Sequence, residues 1–140
     1  MATSARNVFS GKITSVIEGP IHAEVELVTA GGDTVVAVVP EASVNRLGLA
    51  VSTEAKAFVK APWVMVLKGE EGVRFSARNH LCGKVSAIKS GAVNSDVTVT
   101  LPGGTDVQAV ITNEAVSELA LVVGDGVSVL FKASHVILGA

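Results

Sequence analysis

One ten-residue pattern occurs twice in this chain of 140 residues and constrains its fold more than any other feature. "SARNVFSGKI" begins at Ser4, and "SARNHLCGKV" begins at Ser76, 72 residues later. A shift of 72 without gaps aligns residues 4–68 with residues 76–140, and 20 of the 65 aligned positions are identical. Repetition over this length indicates two copies of one structural unit. We therefore predict a first domain at 1–68, a linker at 69–75 and a second domain at 76–140.

Each copy has the pattern of short strands joined by tight turns. In the first copy, "KITSVIEG", "AEVELVTA" and "DTVVAVVP" alternate or run apolar between turn residues, among them Gly31–Gly32. "EASVNRLGLAVS" predicts one short helix that stops at Gly48, and "EAKAFVKAPWVMVL" predicts a longer last strand bent at Pro62. We predict an all-β fold of two tandem OB-like Greek-key β-barrels, each with five strands and one short helix.

Two units of this size have thin cores of their own. Below about 70 residues a single apolar core supplies little net stability, whereas 49% of this chain is hydrophobic. We therefore expect the two units to pack side by side and the chain to form a homo-oligomer.

Composition argues against several classes of partner. The net charge is −2, whereas a general nucleic-acid binder carries a basic surplus, and the few aromatic side chains give little surface for stacking bases. No apolar run reaches the roughly 18 residues that span a bilayer. The first residues lack a signal-peptide layout, and the single Cys82 cannot form an internal disulfide. We expect a cytoplasmic protein with no nucleic-acid or membrane partner.

The sequence offers little for catalysis. His22, His80 and His135 fall at different places in the two copies and match no metal-binding spacing. The paired glycines are better interpreted as hairpin turns than as a phosphate-binding loop. We predict that the protein is not an enzyme, binds no metal cation and has no catalytic cofactor.

Basic groups recur at repeated positions and suggest an anion as ligand. Guanidinium and ammonium groups with hydroxyl and backbone N–H donors form the donor-rich shell that a tetrahedral oxyanion needs. The basic residues are Arg6, Arg78, Lys60 and Lys132, and Ser43 and Thr112 would add hydroxyls near the start of each short helix. A structural alternative stays open: "SARN" is equally interpretable as a corner whose Arg bridges the two units and whose Asn caps a turn.

These motifs resemble a known family. "SARN" followed by "GK", then "LGL" and "KAPW" or "KAS" at matching distances, is similar to the molybdenum-binding Mop or TOBE domain. Two copies over essentially the whole chain resemble the di-domain molbindins. The resemblance implies OB-like barrels, a trimer of di-domain chains, and molybdate or tungstate bound between domains for storage in the cytoplasm without chemical change.

The resemblance also implies particular site residues. In related domains, one type of site combines a Ser-Ala-Arg segment and a Lys-Ala-Ser/Pro segment of one domain with a Thr or Ser of an "ITxxS" stretch from a neighbour. Carried over residue by residue, the two segments are Ser4, Ala5, Arg6, Lys60, Ala61 and Pro62 in the first copy, and Ser76, Ala77, Arg78, Lys132, Ala133 and Ser134 in the second.

The "ITxxS" stretch has diverged between the copies. It reads "VPEAS" and keeps Ser43 in the first copy, and it reads "ITNEA" and keeps Thr112 in the second. Because each copy retains one hydroxyl, and because Pro62 removes an N–H donor and a hydroxyl that Ser134 retains, we expect unequal sites. A second type of site, on a symmetry axis, is also implied, with candidates at Pro20, Ile21, His22, Val93 and Asn94.

A second function from another class stays open. The same domains serve as oxyanion-sensing modules of regulators and transporters, and such a role would act through a separate protein partner. The chain shows neither a helix-turn-helix segment nor a P-loop of its own, so storage is the leading prediction.

Overall fold

The structure, a computed structural model, describes residues 2–69 and 72–140. Residue 1 of the predicted first domain and residues 70 and 71 of the predicted linker lie outside this part. The strands are β1 (Asn7–Glu18), β2 (His22–Thr29), β3 (Thr34–Pro40), β4 (Glu54–Val59), β5 (Met65–Leu67), β6 (Asn79–Ser90), β7 (Asn94–Thr100), β8 (Asp106–Thr112), β9 (Gly126–Phe131) and β10 (Ile137–Gly139). The helices are α1 (Glu41–Leu47) and α2 (Asn113–Glu118), and 3-10 turns span Ala61–Trp63 and Ala133–His135.

The strands form two antiparallel five-stranded sheets, which confirms the predicted all-β, two-unit fold. The first sheet has the order β10-β4-β1-β2-β3, and the second has the order β5-β9-β6-β7-β8. In the first sheet β10 also lies close to β3, and in the second β5 lies close to β8, so each sheet curls toward closure. Each sheet therefore takes four strands from one copy of the repeat and its fifth from the other.

The exchange of the fifth strand revises the expected long last strand. The chain leaves β4 at Val59, makes a 3-10 turn, and continues as β5, which pairs with β9 of the second sheet rather than extending the first. β10 makes the reciprocal pairing with β4. Pro62 fits the first turn of a 3-10 helix because it needs no N–H there, but Ser134 occupies the matching position of an equal turn. The last strand is therefore interrupted at the Lys-Ala-X sequence of both copies, and proline is not the only cause.

The two sheets share one apolar core. Its buried side chains come from both copies and form a single cluster, in which the rings of Phe9 and Phe131 stack with centroids 6.0 Å apart. Val97, Val99 and Val129 are completely buried in it. The sequence indicated that each copy is too small to form a large core of its own. The shared core removes this difficulty, because neither copy has to bury its Val and Leu side chains alone.

A buried Asn at the start of each long strand ties each copy to the other. Asn7 donates to the carbonyl oxygen of Gln108 at 2.8 Å and accepts from the N–H of the same residue at 2.7 Å. Asn79 makes the same two bonds with Val36, at 2.8 and 2.7 Å. Each carboxamide thus pairs with the middle of an outer strand, β8 or β3, as a neighbouring strand would.

The two Gly-Gly hairpin turns also meet between the copies. The first glycine of each pair allows a close approach, because a Cβ on Gly103 would lie 2.1 Å from the carbonyl oxygen of Gly31. The second has the positive φ that these turns require, 87° at Gly32 and 93° at Gly104. The Thr105 hydroxyl donates to the Asp33 carboxylate across the contact. The pairs therefore act as turns and as a contact between copies.

None of the helices in the described ranges is long and apolar enough to cross a membrane.

We predict that Asn79→Ala destabilises the fold by about 2 to 5 kcal/mol, because it leaves the buried N–H and carbonyl groups of Val36 without partners. Urea unfolding followed by circular dichroism measures this change. Asn45→Ala, in an exposed position of α1, is the matched control and should change stability by less than about 0.5 kcal/mol. Equal effects of the two substitutions would contradict the role assigned to Asn79.

We predict that Gly103→Ala destabilises by about 1 to 3 kcal/mol, because the added methyl group forces the two turns apart. Gly126→Ala is the control, since a Cβ there meets no heavy atom within 4 Å. Thermal unfolding of both variants tests this, and an unchanged midpoint for Gly103→Ala would show that the turns need not touch.

Candidate functional site

Strand pairing brings the two predicted anion-binding segments of each copy together. Asn7 pairs with Val59, so the segment Ser4–Arg6 and the segment Lys60–Pro62 leave the first sheet side by side. Asn79 pairs with Phe131 in the same way. We call Ser4–Arg6 and Ser76–Arg78 the SAR segments, and Lys60–Pro62 and Lys132–Ser134 the KAX segments.

In each pair of segments the alanine of the KAX segment is buried, whereas the polar side chains are exposed. Ala61 is 1% exposed and Ala133 is 6% exposed, so the 3-10 turns are anchored in the core. The serine and arginine of each SAR segment and the lysine of each KAX segment are exposed. Each turn also packs on an outer strand of the other copy, residues 61–63 on β8 and residues 133–135 on β3. The polar groups therefore lie at the junction of the two copies.

The two KAX segments approach each other through their next residues. The rings of Trp63 and His135, at matching positions of the repeat, lie 4.8 Å apart between centroids. Lys60 Nζ lies 5.7 Å from the centroid of the Trp63 ring, within cation–π range. One nitrogen of His135, Nδ1, is buried without a hydrogen-bond partner among the described residues. An aromatic contact thus links the two candidate sites.

The two SAR arginines differ in their surroundings. Arg78 Nη1 donates to Glu24 Oε2 at 2.7 Å, and this ion pair joins the second copy to β2 of the first. Within residues 2–69 and 72–140, Arg6 makes no corresponding ion pair with Asp96, which occupies the repeat position of Glu24. The bridging arginine of the structural alternative is thus present in one copy only. The asparagines do not cap turns; they bond to the outer strands.

The predicted helix hydroxyls lie away from the SAR segments of their own copies. β2 and β3 pair His22 with Pro40, which places α1 at the Glu18 end of β1, opposite Asn7. Ser43 is buried and accepts a long 3.5 Å bond from Arg46. In the second copy, Thr112 caps α2 by accepting from the Ala115 N–H at 3.0 Å. Within one chain, no described contact joins either hydroxyl to a SAR or KAX segment.

The candidates for a symmetry-axis site lie in the turns between the first two strands of each copy. The carbonyl oxygen of Ile21 accepts from Glu41, and that of Val93 accepts from Asn113. The side chains of Ile21 and Val93 are 71% and 70% exposed, and Pro20, His22 and Asn94 are also exposed. The two turns make equivalent backbone hydrogen bonds and present these side chains to solvent.

The two turns differ in the charge of the side chains around them. The carboxyl groups of Glu41 and Glu18 lie together at the first turn, and burial, followed by repulsion from Glu18, raises the pKa of Glu41. Its Oε2 has no hydrogen-bond partner in the described ranges. The second copy has Ser90 and Asn113 at the matching positions. Acidic groups oppose a nearby anion, so the Val93–Asn94 turn suits an anion better than the Pro20–His22 turn.

Cation binding has no structural support in the described chain. No three His, Cys, Asp or Glu side chains of residues 2–69 and 72–140 are grouped as metal ligands. Cys82 is a free thiol whose Sγ lies 3.4 Å from Ser128 Oγ.

Two features of the site have no clear signal in the sequence. Because Glu24 alternates with apolar residues along a strand, the sequence predicts only a solvent-facing carboxylate. In the structure this carboxylate forms an ion pair with Arg78. The Trp63–His135 contact joins unlike residues at one repeat position, so a search for identical positions does not find it. A comparison of residue types at positions 72 apart could have marked Trp63 and His135 as unlike, whereas Glu24 and Asp96 are both acidic and give no such signal.

Comparisons with known proteins agree with this architecture. A family model described as the TOBE domain matches residues 3–66 and 76–138. The molybdenum-pterin-binding protein MopA of Rhodobacter capsulatus is 41% identical over 138 residues, which are 99% of this chain and 52% of that protein. The DNA-binding transcriptional dual regulator ModE of Escherichia coli is 36% identical over 140 residues and 52% of its length. The chain thus spans about half the length of the curated relatives it matches.

A solved structure covers the whole chain. The cytoplasmic molybdate-binding protein ModG, in a crystal form with molybdate bound, superposes with a TM-score of 0.97 and is 48% identical. The alignment covers 100% of this chain and 99% of that one.

We predict that Glu41→Gln stabilises the protein increasingly as the pH rises from about 4 toward neutrality. A carboxyl whose pKa is raised in the folded state binds its proton more tightly there, so the wild type loses stability as the group ionises. Urea midpoints at several pH values measure the difference from wild type. A difference between Glu41→Gln and wild type that stays constant over this pH range would contradict the unfavourable ionisation of Glu41 in the folded state.

Proposed function

The chain belongs to the TOBE domain family, and from this premise we propose that it binds molybdate, and tungstate by the same chemistry, as a non-enzymatic intracellular store. The observation that carries the proposal is the similarity to ModG, which extends over the full chain and includes a molybdate-bound form. At 48% identity and a TM-score of 0.97, the two chains share one architecture down to the order of their repeats.

We assign the first type of site to the SAR and KAX segments of each copy. Arginine supplies a planar fork of donors, lysine supplies a compact charge, and serine hydroxyls and backbone N–H groups complete the shell. Such donors suit a tetrahedral dianion because each oxygen accepts bonds without needing to donate. The buried alanines hold these donors on rigid turns, which lowers the entropy lost when the anion binds.

The two copies should bind with different strength. Ser134 adds a hydroxyl where the first copy has Pro62. Arg78 has a carboxylate partner, Glu24, whereas residues 2–69 and 72–140 provide none for Arg6. We propose symmetry-axis sites at Val93–Asn94 and at Pro20–His22. The second should bind an anion less tightly, because the carboxyl groups of Glu18 and Glu41 lie beside it.

Sites of the first type are proposed to be completed by a neighbouring chain. Ser43 and Thr112 lie at the ends of their own sheets opposite the SAR segments of the same copy, so a hydroxyl from either would reach a SAR segment only from the other copy or from another chain. We propose a homotrimer in the cytoplasm, in which each pocket combines segments of one chain with a helix start of the next. Selectivity against sulfate then follows from size, because a rigid shell built for a larger anion leaves a smaller one short of bonds.

A second function is favoured by one comparison. The relation to ModE of Escherichia coli, a DNA-binding regulator, fits a chain that senses the oxyanion and acts through a separate protein partner. The two functions differ in their expected response. A store keeps its shape when loaded, whereas a sensor changes the surface that it presents to its partner, and small-angle scattering with and without molybdate distinguishes them.

We expect calorimetric titration of the anion-free protein with molybdate to show saturable binding of more than one anion per chain. This binding should persist in excess sulfate, and light scattering of the same sample should give a trimer mass. Absence of heat, or its loss in sulfate, would remove the proposed function and leave "SARN" as a structural corner.

We expect Lys132→Ala and Arg78→Ala each to weaken one class of sites at least about tenfold, because each removes a charged hydrogen-bond donor. Lys56→Ala is the control: Lys56 is exposed on β4, where it pairs with Ser10 of β1 and Gly139 of β10, and it belongs to none of the proposed sites. Equal binding by Lys132→Ala and Lys56→Ala would exclude the KAX segments from the site.

A further inference from the structure

We propose that Glu24 is an internal competitor for the anion at the second SAR segment, and that it lowers the affinity of that site. The inference rests on the proposed function and concerns a residue that lies in neither a SAR nor a KAX segment. Glu24 belongs to β2 of the first copy, while Arg78 belongs to the second, 54 positions along the chain.

The position of Arg78 is fixed by the neighbouring asparagine. Asn79 bonds to both backbone groups of Val36 on β3, and β3 pairs with β2 so that Glu24 lies opposite Val38. The backbone before Asn79 is therefore held close to the part of β2 that carries Glu24. The guanidinium reaches the carboxylate at 2.7 Å from an anchored starting point, so little further ordering is needed to form the pair.

The matching positions of the repeat, Asp96 and Arg6, provide a comparison for the Glu24–Arg78 pair. The carboxylate that matches Glu24 in the second copy is Asp96, which is one methylene group shorter, and the described part of the chain shows no ion pair between Asp96 and Arg6. The anchoring is the same there, since Asn7 bonds to Gln108 as Asn79 bonds to Val36. Among the described residues Arg6 has no carboxylate to leave before it turns toward an anion, whereas Arg78 must first leave Glu24.

The exposure of the pair sets the size of the effect. The Arg78 side chain is 54% exposed and that of Glu24 is 30% exposed, and ion pairs in such positions contribute at most about 1 kcal/mol. A dianion can therefore displace Glu24, and the cost is a loss of affinity of up to about fivefold. Glu24 therefore makes the second site weaker without closing it, and acts against the additional hydroxyl that Ser134 supplies there.

The test is calorimetric titration of Glu24→Gln with molybdate, beside wild type and Asp96→Asn. Glu24→Gln should tighten one class of sites by about two- to fivefold. Asp96→Asn removes the same charge at the matching position and should leave both classes within error of wild type. Glu24→Asp keeps the charge but shortens the reach, so it should tighten the same class of sites as Glu24→Gln.

The outcomes separate the two proposals. Binding by wild type with no tightening in either Glu24 variant would overturn the role of Glu24 and leave the proposed function intact. Equal tightening by Asp96→Asn would also overturn it, because the effect would then be one of general charge. Absence of molybdate binding by wild type would overturn the proposed function itself. Thermal midpoints of the three variants show whether any change in affinity reflects folding.

Discussion

The contact on which the rest of this structure depends is the pairing of a buried asparagine with an outer strand of the other repeat. Asn7 and Asn79 each satisfy one backbone N–H and one carbonyl group of an outer strand, which are part-buried at Gln108 and buried at Val36. Because each asparagine directly follows an SAR segment, the same bonds that join the two repeats also position the residues proposed to hold an anion. Stability and the proposed anion site thus depend on the same asparagine in each copy.

The sequence predicts the local secondary structure of this fold better than it predicts the pairing of its short strands. Alternating strands, a helix ending at Gly48 and turns at paired glycines follow from local chemistry, and Gly48 does take the left-handed conformation. The repeat predicts two like units in contact. The exchange of β5 and β10 is not predictable in this way, because a short apolar run such as "MVL" fits the edge of either sheet and only the three-dimensional path decides between them.

The candidate site shows the same division. The SAR and KAX segments are identifiable from repetition and resemblance, and antiparallel pairing at Asn7 and Val59 brings them together. The ion pair of Arg78 depends on the reach of one methylene group and on the registers of two strands, which no pattern of residue types encodes. Two copies that are alike in backbone are therefore unlike in charge, both at the SAR arginines and at the turns near Glu41 and Asn113.

The exchanged strands have a consequence for how such a chain is built. One repeat alone would present a four-stranded sheet with an open edge and a short strand with nothing to pair with, and a second repeat satisfies both at once. If the partner were a separate chain, completing the sheets would depend on protein concentration. Joining the repeats through a short linker makes the partner permanently present at high effective concentration. The tandem chain is in this sense a dimer whose assembly has become part of its folding.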